Sequence, residues 1–121
     1  MFFTNISGAI KSPNYPQPYP RESSCLWSVS FGPQLMTIRA VDFDLPPPIN
    51  ATCRDFVHIS TGVEPYNIFM PTPNSPNTYC GSTIPNINIQ DRNIHIQFEA
   101  PPKFNFSGYR GFQINFAICK Y

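Results

Sequence analysis

Charge is scarce in this sequence. Of 121 residues only eight are Lys or Arg and seven are Asp or Glu, for a formal net charge of +1. The cations, Lys11, Arg21, Arg39, Arg54, Arg92, Lys103, Arg110 and Lys120, are scattered along the chain. No basic run therefore points to nucleic acid, heparin or an acidic membrane. No window shows helical spacing bounded by caps, and no apolar run approaches membrane-spanning length. Met1-Phe2-Phe3, followed by the polar Thr4 and Asn5, is too short for a secretory leader, so an excised module is expected. The four cysteines include no C-x-x-C pair, which argues against zinc and against a redox motif. Only two histidines exist, and G-x-S-x-G, H-E-x-x-H and phosphate-cradling glycine loops are all missing. An enzyme needs a nucleophile or base positioned by a second group. His95 lies on the solvent parity of a strand and His58 opposite Val57 and Ile59, so both are expected to be exposed. Asp42 and Asp44 share one strand face and are expected to meet backbone amides or solvent. Catalysis is not expected, nor is any cofactor.

What the chain does have is aromatic and imino content: eleven Phe, six Tyr, one Trp and fifteen Pro. Many aromatics with few charges exclude a disordered chain, and the length fits one domain, residues 1–121. Apolar residues recur with period two. Cys25, Trp27, Val29 and Phe31 alternate with Leu26, Ser28 and Ser30. Met36, Ile38 and Ala40 alternate with Thr37 and Arg39, after which Val41, Phe43 and Leu45 continue on the other parity. A slip of one residue within a strand marks a β-bulge, or a strand bending between sheets. Val57 and Ile59, then Ile94, Ile96 and Phe98, then Phe112, Ile114, Phe116 and Ile118 define further strands. Ile84, Ile87 and Ile89 suggest a short strand or turn, and Ile68-Phe69-Met70 another. Short strands separated by turn residues indicate an all-β, antiparallel sandwich or barrel.

Ser12-Pro13-Asn14-Tyr15-Pro16-Gln17-Pro18-Tyr19-Pro20 holds four prolines in nine residues, which forbids a helix or a central strand. It reads as an extended loop pinned by its tyrosines. An even cysteine count and the sequons at Asn5, Asn50 and Asn105 favour the secretory pathway, with these asparagines as glycan acceptors. With its flanks Gly8-x-Ile10, Cys25-x-Trp27, Phe43-Asp44-Leu45, Cys53-x-Asp55, Thr61-Gly62, Tyr79-Cys80-Gly81, Ile96-x-Phe98 and Gly111-Phe112, this loop resembles the CUB domain. That extracellular module occurs in complement and astacin-like proteases, endocytic receptors and seminal-plasma adhesins.

The resemblance implies two stacked, roughly five-stranded antiparallel sheets of jelly-roll type, and a disulfide between Cys53 and Cys80. It also suggests that the last strand runs beside the Cys25 strand, which makes a Cys25–Cys119 bridge reasonable. Against this, Cys119 has the parity opposite to Phe112 and Ile118. The competing possibility is that Cys25 pairs with a cysteine outside this sequence. Many CUB domains hold calcium through three acidic side chains. Here only Asp55 is kept; the other positions fall on Pro46 and on Ala100 or Pro101, so no metal site is expected. What remains is recognition. The loops Pro46–Cys53, Glu64–Tyr79 and Pro101–Arg110 offer Tyr66, Phe69, Phe104, Phe106 and Tyr109 as contact aromatics, unless these rings pack onto the sandwich ends. The expected role is a non-catalytic protein–protein interaction module of a secreted or cell-surface protein. The alternatives are a stand-alone carbohydrate-binding adhesin and a regulatory domain of an extracellular protease. The partner is a protein ligand, a neighbouring extracellular domain or a glycan, not nucleic acid.

Overall fold

In the computed structural model, which describes residues 5–30, 34–61, 77–90, 93–101 and 108–120, every regular element is a β-strand. These are β1 (Asn5–Lys11), β2 (Ser24–Ser30), β3 (Gln34–Asp44), β4 (Phe56–Thr61), β5 (Thr78–Tyr79), β6 (Ile87–Gln90), β7 (Asn93–Glu99) and β8 (Gly111–Lys120). They form two antiparallel sheets, ordered β1-β8-β3-β6 and β2-β7-β4-β5. Each sheet thus has four strands among the described residues, not about five. The candidate strand Ile68-Phe69-Met70 lies outside those residues. Two strands carry no readable alternation: β1, where Ser7-Gly8-Ala9 is uniformly small, and β5, which is two residues long.

The period-two pattern places one side of the longer strands in the core. Met36, Ile38, Val57, Ile59, Ile94, Ile96, Phe98, Phe112, Ile114 and Ile118 are all buried between the sheets. Phe112 joins the layers: its ring lies 5.1 Å from Phe98, 6.1 Å from Phe43 and 6.2 Å from Trp27. The parity slip in β3 is a bulge. Register against β8 shifts between Ala40 and Asp42, so Val41 is pushed out to solvent while Phe43 stays buried.

The histidines are not exposed: His58 and His95 are both buried. They stand on the outer face of the two central strands, where neighbours on either side cover them. His95 Nδ1 meets Ser28 Oγ at 2.8 Å, and His58 Nδ1 meets Thr78 Oγ1 at 3.0 Å. Strand parity alone mistakes such positions for solvent-facing ones.

Cys53 and Cys80 form a disulfide with Cα atoms 5.8 Å apart. It links the β3–β4 connection to the segment following β5. The premise for a Cys25–Cys119 bridge fails. β2 and β8 belong to different sheets, and β8 lies between β1 and β3. Cys25 is registered opposite Phe98, whose ring touches Phe112 at the start of β8. Cys119, seven residues further on, is about 23 Å away along that strand, far beyond the reach of a disulfide. Cys25 is a free, half-buried thiol, and burial, with a smaller effect of Glu99, pushes its pKa up.

Candidate functional site: a loop end locked on Asp55

The end of the sandwich holding the start of β8 gathers the proline-rich segment, the β3–β4 connection and the chain after β7. Each is tied down by a few polar contacts. Ser12 pairs with Phe112 through its backbone N–H (3.1 Å), and its Oγ accepts from the Phe112 N–H (2.9 Å). Gly111 makes this approach possible. Its φ is +90°, and a Cβ there would overlap the Ser12 side chain. Turns at Ser12–Tyr15 and Asn14–Gln17 then fold the prolines back, with Asn14 at φ 67° and a cis Tyr15–Pro16 bond. Tyr19 drops into the core, edge-on to Phe98 at 5.1 Å. The two tyrosines thus act as the anchors the sequence suggests.

Beneath this loop lies Asp55, fully buried. Its Oδ2 accepts the Tyr19 hydroxyl at 2.5 Å and Arg21 NH1 at 2.7 Å, and its Oδ1 accepts Arg21 NH2 at 2.8 Å. The same NH2 donates to the Pro101 carbonyl at 2.7 Å. One bidentate guanidinium therefore joins three separated segments of chain, in the geometry that makes Arg–carboxylate pairs strong. Burial, reinforced by the Asp55 hydrogen bond, holds the Tyr19 hydroxyl far above the usual phenol range, so it stays a donor. The Asp55 hydrogen bonds raise the Arg21 pKa, and Arg21 keeps its charge.

The residues here do not fit a divalent cation. Asp55 is the one carboxylate among the three positions, both its oxygens are occupied by donors of the chain itself, and no group of three acidic, Cys or His ligands exists among the described residues. Arg21 went unnoticed in the sequence. The signal was available: an acid retained without its fellow ligands needs a counter-charge, and a lone arginine in the facing loop supplies one.

A second, exposed cluster braces the other side of this end. Asp42 accepts Tyr15 OH (2.8 Å) and Arg110 NH2 (3.1 Å), while Asp44 accepts the Arg110 backbone N–H (3.1 Å) and Nε (3.4 Å). The aspartates therefore meet a backbone amide as expected, but also an arginine and a tyrosine. At the tip of the β3–β4 connection, Ile49 and Thr52 exchange N–H···O bonds of 2.9 and 3.0 Å. Asn50 and Ala51, at φ 52° and 62°, form a two-residue type I′ turn. Asn50 is exposed there, as are Pro47, Pro48 and Ile49. Asn5 lies in β1 opposite Cys119. Of the expected contact aromatics, Tyr109 is partly buried against the core. Tyr66, Phe69, Phe104 and Phe106, like Asn105, lie outside the described residues.

The fold is thus a disulfide-stapled, two-sheet antiparallel sandwich with its connections gathered at the ends. The CUB domain family matches residues 1–116, and the chain belongs to that family. It is 30% identical to human Tolloid-like protein 2 over 118 residues, covering 95% of this chain and 10% of that protein. It is 32% identical to rat Complement C1s subcomponent over 104 residues, 80% of this chain and 14% of the other. Among solved structures it is similar to the MASP-1 CUB2 domain bound to Ca2+, with TM-score 0.67 and 26% identity over 91% of this chain and 90% of that one. The chain thus spans a small fraction of the length of the curated relatives it matches.

Proposed function

We propose that this domain is a non-catalytic, extracellular protein-interaction module whose contact surface is the loop end held by Arg21 and Asp55. The observation that carries this reading is the guanidinium that ties the proline-rich loop, Asp55 and Pro101 together. It pre-organises the loops, so less ordering is needed when a partner docks. Exposed around it are Pro16, Pro18, Pro20, Pro47, Pro48 and Ile49, uncharged residues of which five are conformationally restricted prolines, which suits a protein face. Asn50, at an exposed turn tip, serves as a glycan acceptor on this end. Family membership and the extracellular relatives support the compartment; a place within a larger extracellular protease is a second reading, supported by the C1s and Tolloid-like relatives.

The test is a panel of extracellular proteins probed with the native domain and with Arg21→Ala, in calcium and in EDTA, beside a glycan array. Binding to a protein that EDTA leaves intact and Arg21→Ala weakens is expected. Binding abolished by EDTA, or confined to glycans, would refute the reading.

A further inference from the structure

Phe112 lies under both Trp27 of β2 and Phe98 of β7, so the sheets stack with β1 and β2 along one flank of the sandwich. Among the described residues, β2 has a neighbour on one side only. At the start of the strand Ser23 O accepts the Ala100 N–H at 2.8 Å. By the antiparallel alternation, Cys25 and Trp27 then exchange bonds with β7, while Ser24, Leu26 and Ser28 turn their N–H and C=O groups outward. An open edge of this kind is a template for another strand. Soluble domains blunt such edges with lysine, proline or a bulge. β2, Ser-Cys-Leu-Trp-Ser-Val-Ser, has none of these.

Its outer-face side chains read Ser24, Leu26, Ser28, a set symmetric about Leu26, and Leu26 is 51% exposed. In an antiparallel pair with its own copy about a twofold axis at Leu26, the two Leu26 side chains face each other. Ser24 then lies opposite the copy's Ser28, and Cys25 opposite the copy's Trp27. No ionised side chains meet. The nearest one on that face, Glu99, is one strand inward and accepts the Ser24 hydroxyl at 2.6 Å. The bare edge of β1 offers less to a copy of itself: glycine stands at its centre, and Ser7, Ala9 and Lys11 face outward.

We infer that β2 is a self-association edge, at which two copies of this domain join their four-stranded sheets into one continuous sheet through an isologous β2–β2 contact. The surface is distinct from the Asp55 loop end and leaves that end free. One five-residue seam, Ser24–Ser28 against the same residues of the copy, falls in the small, transient class of interfaces, under ~1,200 Å² of total buried area, so the dimer is weak and reversible.

Sedimentation velocity tests this on the native chain and on Leu26→Lys without reductant, which would open Cys53–Cys80, and non-reducing electrophoresis checks for crosslinking through Cys25. Concentrations should run from about 5 to about 500 µM, so that mass action shows the equilibrium. The expected result is a reversible monomer–dimer equilibrium for the native chain. Leu26→Lys, which puts like charges directly opposite each other across the seam, weakens it at least ~10-fold with the melting temperature unchanged. Leu35→Lys, on the other sheet and 38% exposed, leaves it unaltered. A native chain that stays monomeric throughout, or a Leu26→Lys dimer as tight as the native one, overturns the inference.

Discussion

Replacing Arg21 by Ala is the most informative perturbation of this domain, because Asp55 has no access to water. The substitution removes two guanidinium bonds to the carboxylate and one to the Pro101 carbonyl, leaving the Tyr19 hydroxyl as the remaining donor shown for Asp55. Breaking a buried pair from one side costs ~3–5 kcal/mol, because a charge is left buried without its counter-charge. The Arg21 side chain is itself 24% exposed, so water can follow it into the gap. The expected loss is therefore at the lower end, about 3 kcal/mol. Against a net stability of ~5–15 kcal/mol, that is a large fraction. Urea denaturation should show it as a lower midpoint with an unchanged slope. The companion measurement is a double-mutant cycle with Asp55→Asn, which keeps the shape and removes the charge. If the pair acts as a unit, the double variant is less destabilised than the sum of the singles by ~1–3 kcal/mol. A loss below about 1 kcal/mol for Arg21→Ala would place the pair in the range of a surface ion pair and refute the argument. So would additive behaviour in the cycle.

Other substitutions probe the rest of the scaffold. Cys80→Ser opens the loop closed by the Cys53–Cys80 bridge, whose sequence separation is 27; in the chain-entropy model this costs about 3–4 kcal/mol, readable by calorimetry with and without reductant. Gly111→Ala sets a side chain at φ +90° against Ser12 and should cost at least ~2 kcal/mol, whereas Gly108→Ala, with open space around it, should cost only its backbone strain of ~1 kcal/mol. His58 is held neutral because burial lowers its pKa from 6.5. Below pH 6.5 the unfolded chain binds the proton more readily, so stability contributed by His58 is present above 6.5 and is lost as pH falls towards the folded-state value. The melting temperature should therefore drop as pH falls below 6.5, and His58→Gln should flatten that limb.

Local pattern carried the strands well and their partners poorly. The alternations at Ile94–Phe98 and Phe112–Ile118 mark β7 and β8 because half of each strand must be apolar to cover one face. The change of parity after Ala40 located the bulge for the same reason. Pairing is another matter. Nothing local in Gly111–Lys120 says that it lies between β1 and β3, and assuming the wrong neighbour produced the Cys25–Cys119 bridge. The histidines failed for a related cause: whether an outward position is wet depends on the strands beside it, and both sit on central strands. At the loop end, the sequence showed Asp55 and the tyrosine anchors but not the guanidinium, since Arg21 and Asp55 are brought together by folding across a separation of 34 residues.

Charge was the scarce commodity in this chain, and its placement at the loop end carries a consequence for recognition. A loop held by a dissolved cation is only as ordered as the ion's concentration allows, because bound and free forms follow mass action. Arg21 is covalently part of the loop it fixes, so its effective concentration at Asp55 is constant and independent of the medium. The Tyr19 hydroxyl contributes from the same segment two residues earlier, which places both donors on one short, proline-stiffened stretch of chain. Losing either donor still leaves the other on the carboxylate. Tyr19→Phe should therefore cost less than Arg21→Ala, at the lower end of the ~1.5–3 kcal/mol for one hydrogen bond to a charged group, against the loss of the counter-charge itself. The order of those two losses reports whether charge compensation or hydrogen bonding holds this end together.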